Sequence, residues 1–162
     1  PTTFLLTSFY WASFIFFRLG PQRGKDGVLA VTYPMGDRKL PSIAVEDIGK
    51  CAYGIFKRGG ELVGQTVGVA GEHPTGAEIA AALTRALGEE VRYNDVPPDV
   101  FRSFGFPGAD DIGNMFQFKA DFNDLYCASR SVEFSRSLNP ELQTLDQWMA
   151  ANKDRIPLGG AS

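Results

Sequence analysis

Short apolar runs alternate along the chain with longer segments in which apolar residues have helical spacing. Four runs have the length and apolar content of strands: VLAVTYP from residue 28, LPSIAV from residue 40, QTVGVAG from residue 65 and EVRYNDV from residue 90. Apolar residues elsewhere recur three and four positions apart, as in helices, over segments 46–60, 75–88, 109–127 and 144–153. Alternating strands and helices predict the α/β class.

Two of the helical segments carry a start signal. Thr75 with Glu78, and Thr144 with Gln147, have the spacing of a capping box. In this arrangement a hydroxyl and a carboxylate or amide bind the free backbone N–H groups of the first turn. Gly88 stands where a glycine ends a helix. We therefore predict helices that begin after Thr75 and after Thr144.

One uncharged run stands apart, FLLTSFYWASFIFF at residues 4–17. It is too short for a helix across a bilayer, which needs about 20 residues. It also lacks the basic start and the cleavage site of a secretory signal. We interpret Phe4 to about Ser8 as a central strand covered on both faces, as in parallel α/β sheets. Residues 9–19 then form a loop that enters an aromatic helical segment.

The loop after this strand is a candidate ligand site. Ligands in open α/β sheets bind beyond the carboxyl ends of the strands, which makes Phe9, Tyr10 and Trp11 candidate pocket residues. A second aromatic cluster, residues 115–118 with Phe104 and Phe106 just before it, is a candidate wall of an apolar pocket. For both segments, packing in the protein core is an alternative of about equal weight.

Composition narrows the possible functions. The chain has 162 residues, which fits one domain, and a formal net charge of −3 without a basic stripe, which argues against nucleic acid as a partner. Cys51 and Cys127 lie far apart, and His73 is the one histidine. We therefore predict no metal site, no membrane segment, free thiols and a cytoplasmic location.

Two patterns suggest chemistry but lack the necessary context. Tyr53 and Lys57 have the Y-x-x-x-K spacing in which a lysine lowers a tyrosine pKa. In short-chain dehydrogenases that pair precedes the apolar strand, whereas here it follows. Residues 71–76 have the outer glycines of a phosphate-binding loop, but Glu78 stands where a hydroxyl is needed and would repel phosphate. We predict no catalytic residue in this chain.

Several other polar side chains are interpreted as solvated. Asp121 and Asp124 share a helical segment, with Lys119 nearby, and we expect these two carboxylates to form a solvated face. His73 lies in a loop with glycine and proline and has no evident partner in the sequence. We expect it on the surface as well.

Five stretches carry a family resemblance: TFLLTSFYWASF, SIAVEDIGKCAYGIFK, GQTVGVAGEHPTGAEIAAALTRALG, FRSFGFPGADDIGNMFQF and SLNPELQTLDQWMA. In this order they resemble the NmrA-like family, atypical relatives of the short-chain dehydrogenases, over nearly the whole chain. The resemblance implies the carboxyl-terminal half of a Rossmann-like NAD(P)-binding fold with its smaller substrate or partner lobe. That unit would occupy residues 1–156, followed by a flexible tail at 157–162.

The resemblance also implies a cofactor contact. Members of the family bind NADP, and the loop after the strand equivalent to TFLLTS carries aromatics, an acid and an asparagine near the nicotinamide. The matching residues here are Tyr10, Trp11, Ala12 and Ser13. The aromatics match, whereas the acid and the asparagine are replaced, which weakens polar contact with the cofactor.

A substrate or partner cleft is implied next to this loop. Its walls would be Phe9, Phe106, Met115 and Phe116. Regulators that sense NADP and reductases both occur in the family and use the same cleft. We expect a redox-sensing regulator without its own catalysis, and the alternative is an NAD(P)H-dependent oxidoreductase of the atypical short-chain dehydrogenase type.

The family's phosphate-binding turn lies in an amino-terminal half. We therefore expect NADP to bind the full-length protein and not this chain alone. An unpaired sheet edge would remain where that half docks, and such edges favour association. An oligomer and a protein partner are accordingly both compatible with the sequence.

Overall fold

The computed structural model describes residues 1–159. Its strands are β1 (Phe4–Leu6), β2 (Phe9–Tyr10), β3 (Gln22–Arg23), β4 (Leu29–Tyr33), β5 (Ser42–Ile43), β6 (Thr66–Gly68) and β7 (Val91–Asp95). Its helices are α1 (Ser13–Phe16), α2 (Val45–Arg58), α3 (Gly76–Leu87), α4 (Pro98–Arg102), α5 (Ala109–Asp121), α6 (Asn123–Ala128), α7 (Val132–Leu138) and α8 (Leu145–Asn152). Of the predicted tail, residues 160–162 lie outside the described part. The Gly159 carbonyl oxygen accepts a hydrogen bond from the Arg23 N–H at 2.8 Å.

Parallel pairing dominates the three small sheets. β1 pairs with β6 and β2 pairs with β5, both in parallel. The third sheet has the order β3-β4-β7, in which β4 is parallel to β7 and antiparallel to β3. Helix α2 connects β5 to β6, and α3 connects β6 to β7. Helices in the connections between parallel strands confirm the predicted α/β class.

Both predicted capping boxes form. The Thr75 N–H donates to Glu78 Oε2 at 2.7 Å, and the Glu78 N–H donates to Thr75 Oγ1 at 3.2 Å. Thr144 and Gln147 make the same two bonds at 2.9 and 3.2 Å. Helices α3 and α8 therefore begin at the residues that follow the two threonines. Gly88, with a φ of 70°, ends α3 as predicted.

The main core lies on one face of the β3-β4-β7 sheet. Along β4, the side chains of Leu29, Val31 and Tyr33 are buried, whereas Ala30 and Thr32 are partly exposed on the other face. Helices α3, α5 and α8 contribute buried residues to the same core. This period-two alternation is typical of a sheet that buries a single face.

Strand β1 is less covered than its sequence suggests. Phe4 and Leu6 are exposed, and Leu5 packs against a second core cluster that includes Ile55 and Val67. Within residues 1–159 no strand pairs with the other edge of β1. The prediction that this strand is covered on both faces is therefore wrong within residues 1–159, because Phe4 and Leu6, whose side chains share one face, are exposed.

The predicted helix at 109–127 is divided. Helix α5 ends before Phe122, whose φ of −109° and ψ of 33° leave the helical region, and α6 begins directly after it. Helix α7 was not predicted, although Ser131 caps it by accepting a hydrogen bond from the Phe134 N–H at 3.1 Å. Helices of six or seven residues contain too few turns to show a clear period in the sequence.

Two glycines on α2 test how closely this helix packs on α7. A Cβ at Gly54 would overlap the carbonyl oxygen of Leu138, whereas a Cβ at Gly49 would meet no atom within 4 Å. We expect Gly54→Ala to lower the free energy of unfolding by about 1–3 kcal/mol. Gly49→Ala is the matched control and should raise it by about 0.5–1 kcal/mol, since alanine favours a helix interior. Urea unfolding measures both changes, and equal effects would contradict the close contact.

Candidate functional site

The carboxyl end of β1 brings together polar groups from distant parts of the chain. The hydroxyls of Thr7 and Tyr10 are hydrogen-bonded at 2.8 Å, and the Thr7 carbonyl oxygen accepts a hydrogen bond from Arg130 Nε at 2.8 Å. Lys119 and Tyr126 complete the group, which we call the edge site. Because ligands bind beyond the carboxyl ends of parallel strands, the edge site is the candidate functional site.

Arg130 is held in place by several contacts. Its guanidinium lies 3.8 Å from the centre of the Tyr126 ring, and its Nη1 donates to the Ser129 hydroxyl at 2.9 Å. The His73 Nε2–H donates to the Arg130 carbonyl oxygen at 2.7 Å, and burial lowers the pKa of His73. His73 is therefore half-buried and paired, which corrects its interpretation as a surface residue.

Lys119 is a buried cation in an aromatic environment. The residue is 5% exposed, and its Nζ lies 5.3, 5.8 and 5.5 Å from the ring centres of Phe9, Phe116 and Tyr126. Its side chain forms no ion pair with any residue of the described chain. Burial, and secondly the charge of Arg130, lower the pKa of Lys119 to about 7. This amine therefore gains or loses a proton near neutral pH.

Asp121 and Asp124 are exposed as predicted, whereas the nearby Lys119 is buried. Phe116 precedes Lys119 by three residues on α5, so the two side chains share one side of the helix. Helical spacing alone would have placed Lys119 inward, but lysine is rarely buried without a partner. Arg130 had no such signal, because its bond to Thr7 joins residues 123 positions apart.

The four predicted cofactor contacts lie in different surroundings. Tyr10 is 37% exposed, whereas Trp11 is 0% exposed and its Nε1–H donates to the Ser42 hydroxyl at 2.8 Å. Ala12 is half-buried, and Ser13 is buried at the start of α1. The structure thus brings the Tyr10 side chain into the edge site and packs that of Trp11 into the core. Cofactor contact by these four residues stays a prediction.

The four predicted cleft residues belong to one aromatic-rich cluster. The rings of Phe9 and Phe116 lie 5.9 Å apart, and both residues are buried. Phe116 also contacts Phe101, which packs edge-on against Phe106 at 5.7 Å. Met115 is partly buried against the same core. Phe106 lines a surface cavity, and a cleft walled by all four residues stays a prediction.

The hydroxyl of Ser8, which follows the carboxyl end of β1, bears on whether a nicotinamide group suits this region. This hydroxyl oxygen is buried and has no hydrogen-bond partner among residues 1–159. A buried unpaired hydroxyl costs about 1–3 kcal/mol, so a polar ligand group at this position would be favoured. The carboxamide of nicotinamide has both donors and an acceptor, a chemistry that suits an unpaired hydroxyl such as that of Ser8.

Other candidate sites have less support. Tyr53 and Lys57 lie on the exposed side of α2, where Lys57 Nζ is 5.7 Å from the centre of the Tyr53 ring. In the described part of the chain, no cluster of three or more His, Cys, Asp or Glu residues is arranged to hold a metal ion. The helices of residues 1–159 include none with the length and hydropathy of a membrane span.

The chain resembles known proteins in sequence and in fold. The family model described as NmrA-like matches residues 1–150. Among solved structures, the negative transcriptional regulator NmrA in complex with NADP has a TM-score of 0.68 at 21% sequence identity. The match covers 93% of this chain and 52% of that one.

Two enzymes have a similar fold. Triphenylmethane reductase from Citrobacter sp., complexed with NADP(H), has a TM-score of 0.72 at 19% identity, over 94% of this chain and 53% of that one. An NADPH-dependent quinone oxidoreductase from Escherichia coli has a TM-score of 0.63 at 22% identity, over 75% and 46%. The chain thus spans about half the length of these solved structures. Since the family model covers residues 1–150, the chain belongs to the NmrA-like family.

Proposed function

We propose that this chain is part of an NADP-binding regulator that senses redox state and has no catalysis of its own. Family membership and the likeness to NADP-bound structures support cofactor binding. The observation that carries the regulatory role is the loop after β1. Ala12 and Ser13 occupy the positions at which the family resemblance implies an acid and an asparagine, and the Tyr10 hydroxyl is already bonded to Thr7. This loop offers a binding surface without a free acid or base.

Residues at the edge of the sheet would hold the nicotinamide end of the cofactor. Ser8 and Tyr10 would contact it, and the buried side chain of Trp11 would fix the loop from the core side. When bound, the reduced dinucleotide could donate a hydride and the oxidised form could accept one. The phosphates need a glycine-rich turn that opens a helix, which we expect in an amino-terminal half of a longer chain.

The regulator would act in the cytoplasm on a protein partner. Cys51 and Cys127 are both free thiols, which suits a reducing compartment. A regulator without catalysis transmits its signal through a partner that binds one cofactor state more tightly than the other. The exposed edge of β1, with Phe4 and Leu6, is where we expect the amino-terminal half or a second copy of the chain to pair.

An NAD(P)H-dependent oxidoreductase is the second candidate function. Lys119 favours it, because an amine with a pKa of about 7 can hold or release a proton in the edge site near neutral pH. Its Nζ lies 5.5 Å from the centre of the Tyr126 ring and 5.3 Å from that of Phe9, the first residue of β2. The two enzymes with a similar fold, which reduce triphenylmethane dyes and quinones, also favour this alternative.

Cofactor binding and turnover in the full-length protein separate the two functions. For a regulator we expect calorimetry to detect NADP⁺ and NADPH with different affinities, because a redox sensor must distinguish them. We expect no NADPH oxidation above the buffer rate with quinones or aldehydes. The 162-residue chain is the control and should bind neither form, since phosphate binding would require residues outside it.

Two outcomes would change this conclusion. Steady NADPH oxidation by the full-length protein would overturn the regulatory role, and Lys119→Met should then lower kcat without weakening NADPH binding. Micromolar NADP affinity in the 162-residue chain would instead contradict the expected division of the cofactor site between two halves.

A further inference from the structure

A cavity of about 510 Å³ lies away from the edge site, on the outer face of β4. Its walls come from the end of α1, from the β3-β4 pair and from the segment between α4 and α5. The residues used below are Phe16, Phe17, Arg18, Thr32, Phe104 and Phe106. Small-molecule sites in proteins typically have volumes of about 300–1,000 Å³, so the cavity is large enough for a ligand of one or two rings.

The cavity has an unusually exposed aromatic lining. Phe16, Phe17 and Phe104 are 65%, 63% and 50% exposed. Exposing apolar surface costs about 25 cal/mol per Å², so three exposed phenylalanines at one cavity favour a ligand that covers them. Phe104 and Phe106 both rest on Phe101, which is buried, at 5.6 and 5.7 Å between ring centres. This wall is therefore anchored to the core and preformed.

Arg18 contributes the charge of the cavity. Its φ of 54° lies in the left-handed region, and no other non-glycine residue of the described chain has a positive φ. Such a conformation costs about 1–2 kcal/mol, and it persists where the neighbours are fixed. The Phe17 and Leu19 N–H groups both donate to the Ser13 carbonyl oxygen, and the Tyr33 hydroxyl donates to the Leu19 carbonyl oxygen at 2.6 Å. These bonds hold the chain on both sides of Arg18.

The guanidinium of Arg18 is available to a ligand. Within residues 1–159 it makes no ion pair and no hydrogen bond, and none of the residues that line the cavity is acidic. Thr32 adds a hydroxyl from the partly exposed face of β4. An unpaired arginine beside aromatic rings recognises a planar anion, since its fork matches a carboxylate and the rings accept a flat apolar body.

We propose that this cavity binds a small planar aromatic molecule that carries one carboxylate. The carboxylate pairs with Arg18, and the aromatic body lies against Phe17, Phe104 and Phe106. The proposal is independent of NADP, because no edge-site residue lines this cavity. It adds a second ligand, an aryl carboxylate, to a protein whose other proposed ligand is a dinucleotide.

A second cavity provides an internal comparison. It has a volume of about 630 Å³ and lies between β1 and α2, lined by residues that include Leu5, Ile55 and Phe56. Among the described residues, no charged side chain lines it. In the 162-residue chain the positively charged amino group of Pro1 also lies at this cavity. Both cavities can therefore attract an anion, and the positions of the shifted amides distinguish them.

The test uses 2-naphthoate and its neutral isostere 2-naphthamide, titrated into the ¹⁵N-labelled 162-residue chain. We expect saturable shifts for 2-naphthoate in the amide signals of Arg18, Thr32 and Phe104. Arg18→Gln should weaken 2-naphthoate binding about 10–100-fold, as for loss of a hydrogen bond to a charged group. Binding of 2-naphthamide should change less than about threefold.

Controls make the result decisive. Phe56→Ala alters the second cavity and should leave 2-naphthoate binding unchanged, whereas Phe104→Ala should weaken both ligands. The amide spectrum of each variant shows whether it is folded. The proposal is overturned if 2-naphthoate does not saturate, if the shifts map to the second cavity, or if Arg18→Gln binds 2-naphthoate as tightly as the wild type.

Discussion

Trp11→Ala is expected to lower the free energy of unfolding by about 3–5 kcal/mol. The indole is fully buried, and its ring centre lies 6.2 Å from that of Trp148. Its Nε1–H also donates to the buried Ser42 hydroxyl at 2.8 Å. The variant therefore leaves a cavity and loses a buried hydrogen bond, and both effects are destabilising. Urea unfolding followed by far-ultraviolet circular dichroism measures the change without relying on tryptophan fluorescence.

Tyr10→Ala is the matched control in the same loop. Its side chain is partly exposed and its hydroxyl bonds to the Thr7 side chain, so we expect a loss of less than about 1 kcal/mol. A wild-type unfolding midpoint for Trp11→Ala would contradict the assignment of Trp11 to the core. The same result would strengthen the interpretation that Trp11 contacts a cofactor.

The aromatic residues of the run at 4–17 were interpreted either as ligand contacts or as core residues. Each interpretation applies to different residues of the run. In β2 the Phe9 side chain is buried and that of Tyr10 is exposed, as successive residues of a strand must point to opposite faces. In an uncharged run made mostly of apolar and aromatic residues, the sequence does not reveal which face is inward. The sequence therefore predicts a strand and a loop without assigning their faces. The contacts of Trp11 with Ser42 and Trp148 show that this aromatic residue lies in the core.

Short-range sequence signals such as capping boxes predicted where helices begin, but they did not predict the edge site. Helices α3 and α8 begin where their capping boxes predict, because a cap is formed by residues three positions apart. The break between α5 and α6 depends on the backbone of Phe122, and no glycine or proline marks it. The edge site joins Thr7 to Arg130 across 123 positions, and a single sequence contains no signal for that contact.

Phe104 and Phe106 were predicted as part of a candidate pocket wall, and Phe106 also as a wall of the cleft beside the cofactor loop. In the structure both line the Arg18 cavity together with Phe16 and Phe17, and a cleft shared with Phe9, Met115 and Phe116 stays a prediction. The proposed charge partner of the aryl carboxylate, Arg18, follows the apolar run directly. Nothing in residue type predicted a positive φ there, because arginine rarely adopts this conformation and no glycine stands in its place.

The stability of the protein is expected to rise with pH between about 7 and 9, and Lys119 is the cause. Its folded-state pKa is about 7, below the value of about 10.4 for an unfolded lysine. Between these values the unfolded chain binds a proton that the folded chain does not, so the free energy of unfolding increases with pH by up to about 1.4 kcal/mol per unit. Below pH 7 the amine is charged in both states, and the cost of its burial is fully present.

Lys119→Met removes the titrating group and keeps the apolar length of the side chain. We expect it to be more stable than the wild type at pH 6, by several kcal/mol at most, and the difference should shrink as pH rises to 9. Burial raises the pKa values of Cys51 and Tyr126 in the variant as well, so the effects of these groups cancel in the comparison. Urea unfolding at four pH values between 6 and 9 provides the measurement.

Lys57→Met is the control, because Lys57 also lies near an aromatic ring, that of Tyr53, but on the exposed side of α2. It should follow the pH dependence of the wild type. Parallel curves for the wild type and Lys119→Met would show that Lys119 keeps its charge up to pH 9. The edge site would then hold a permanent cation beside Arg130 and no group that exchanges protons near neutrality. That outcome would remove the main structural argument for an oxidoreductase and favour the regulator.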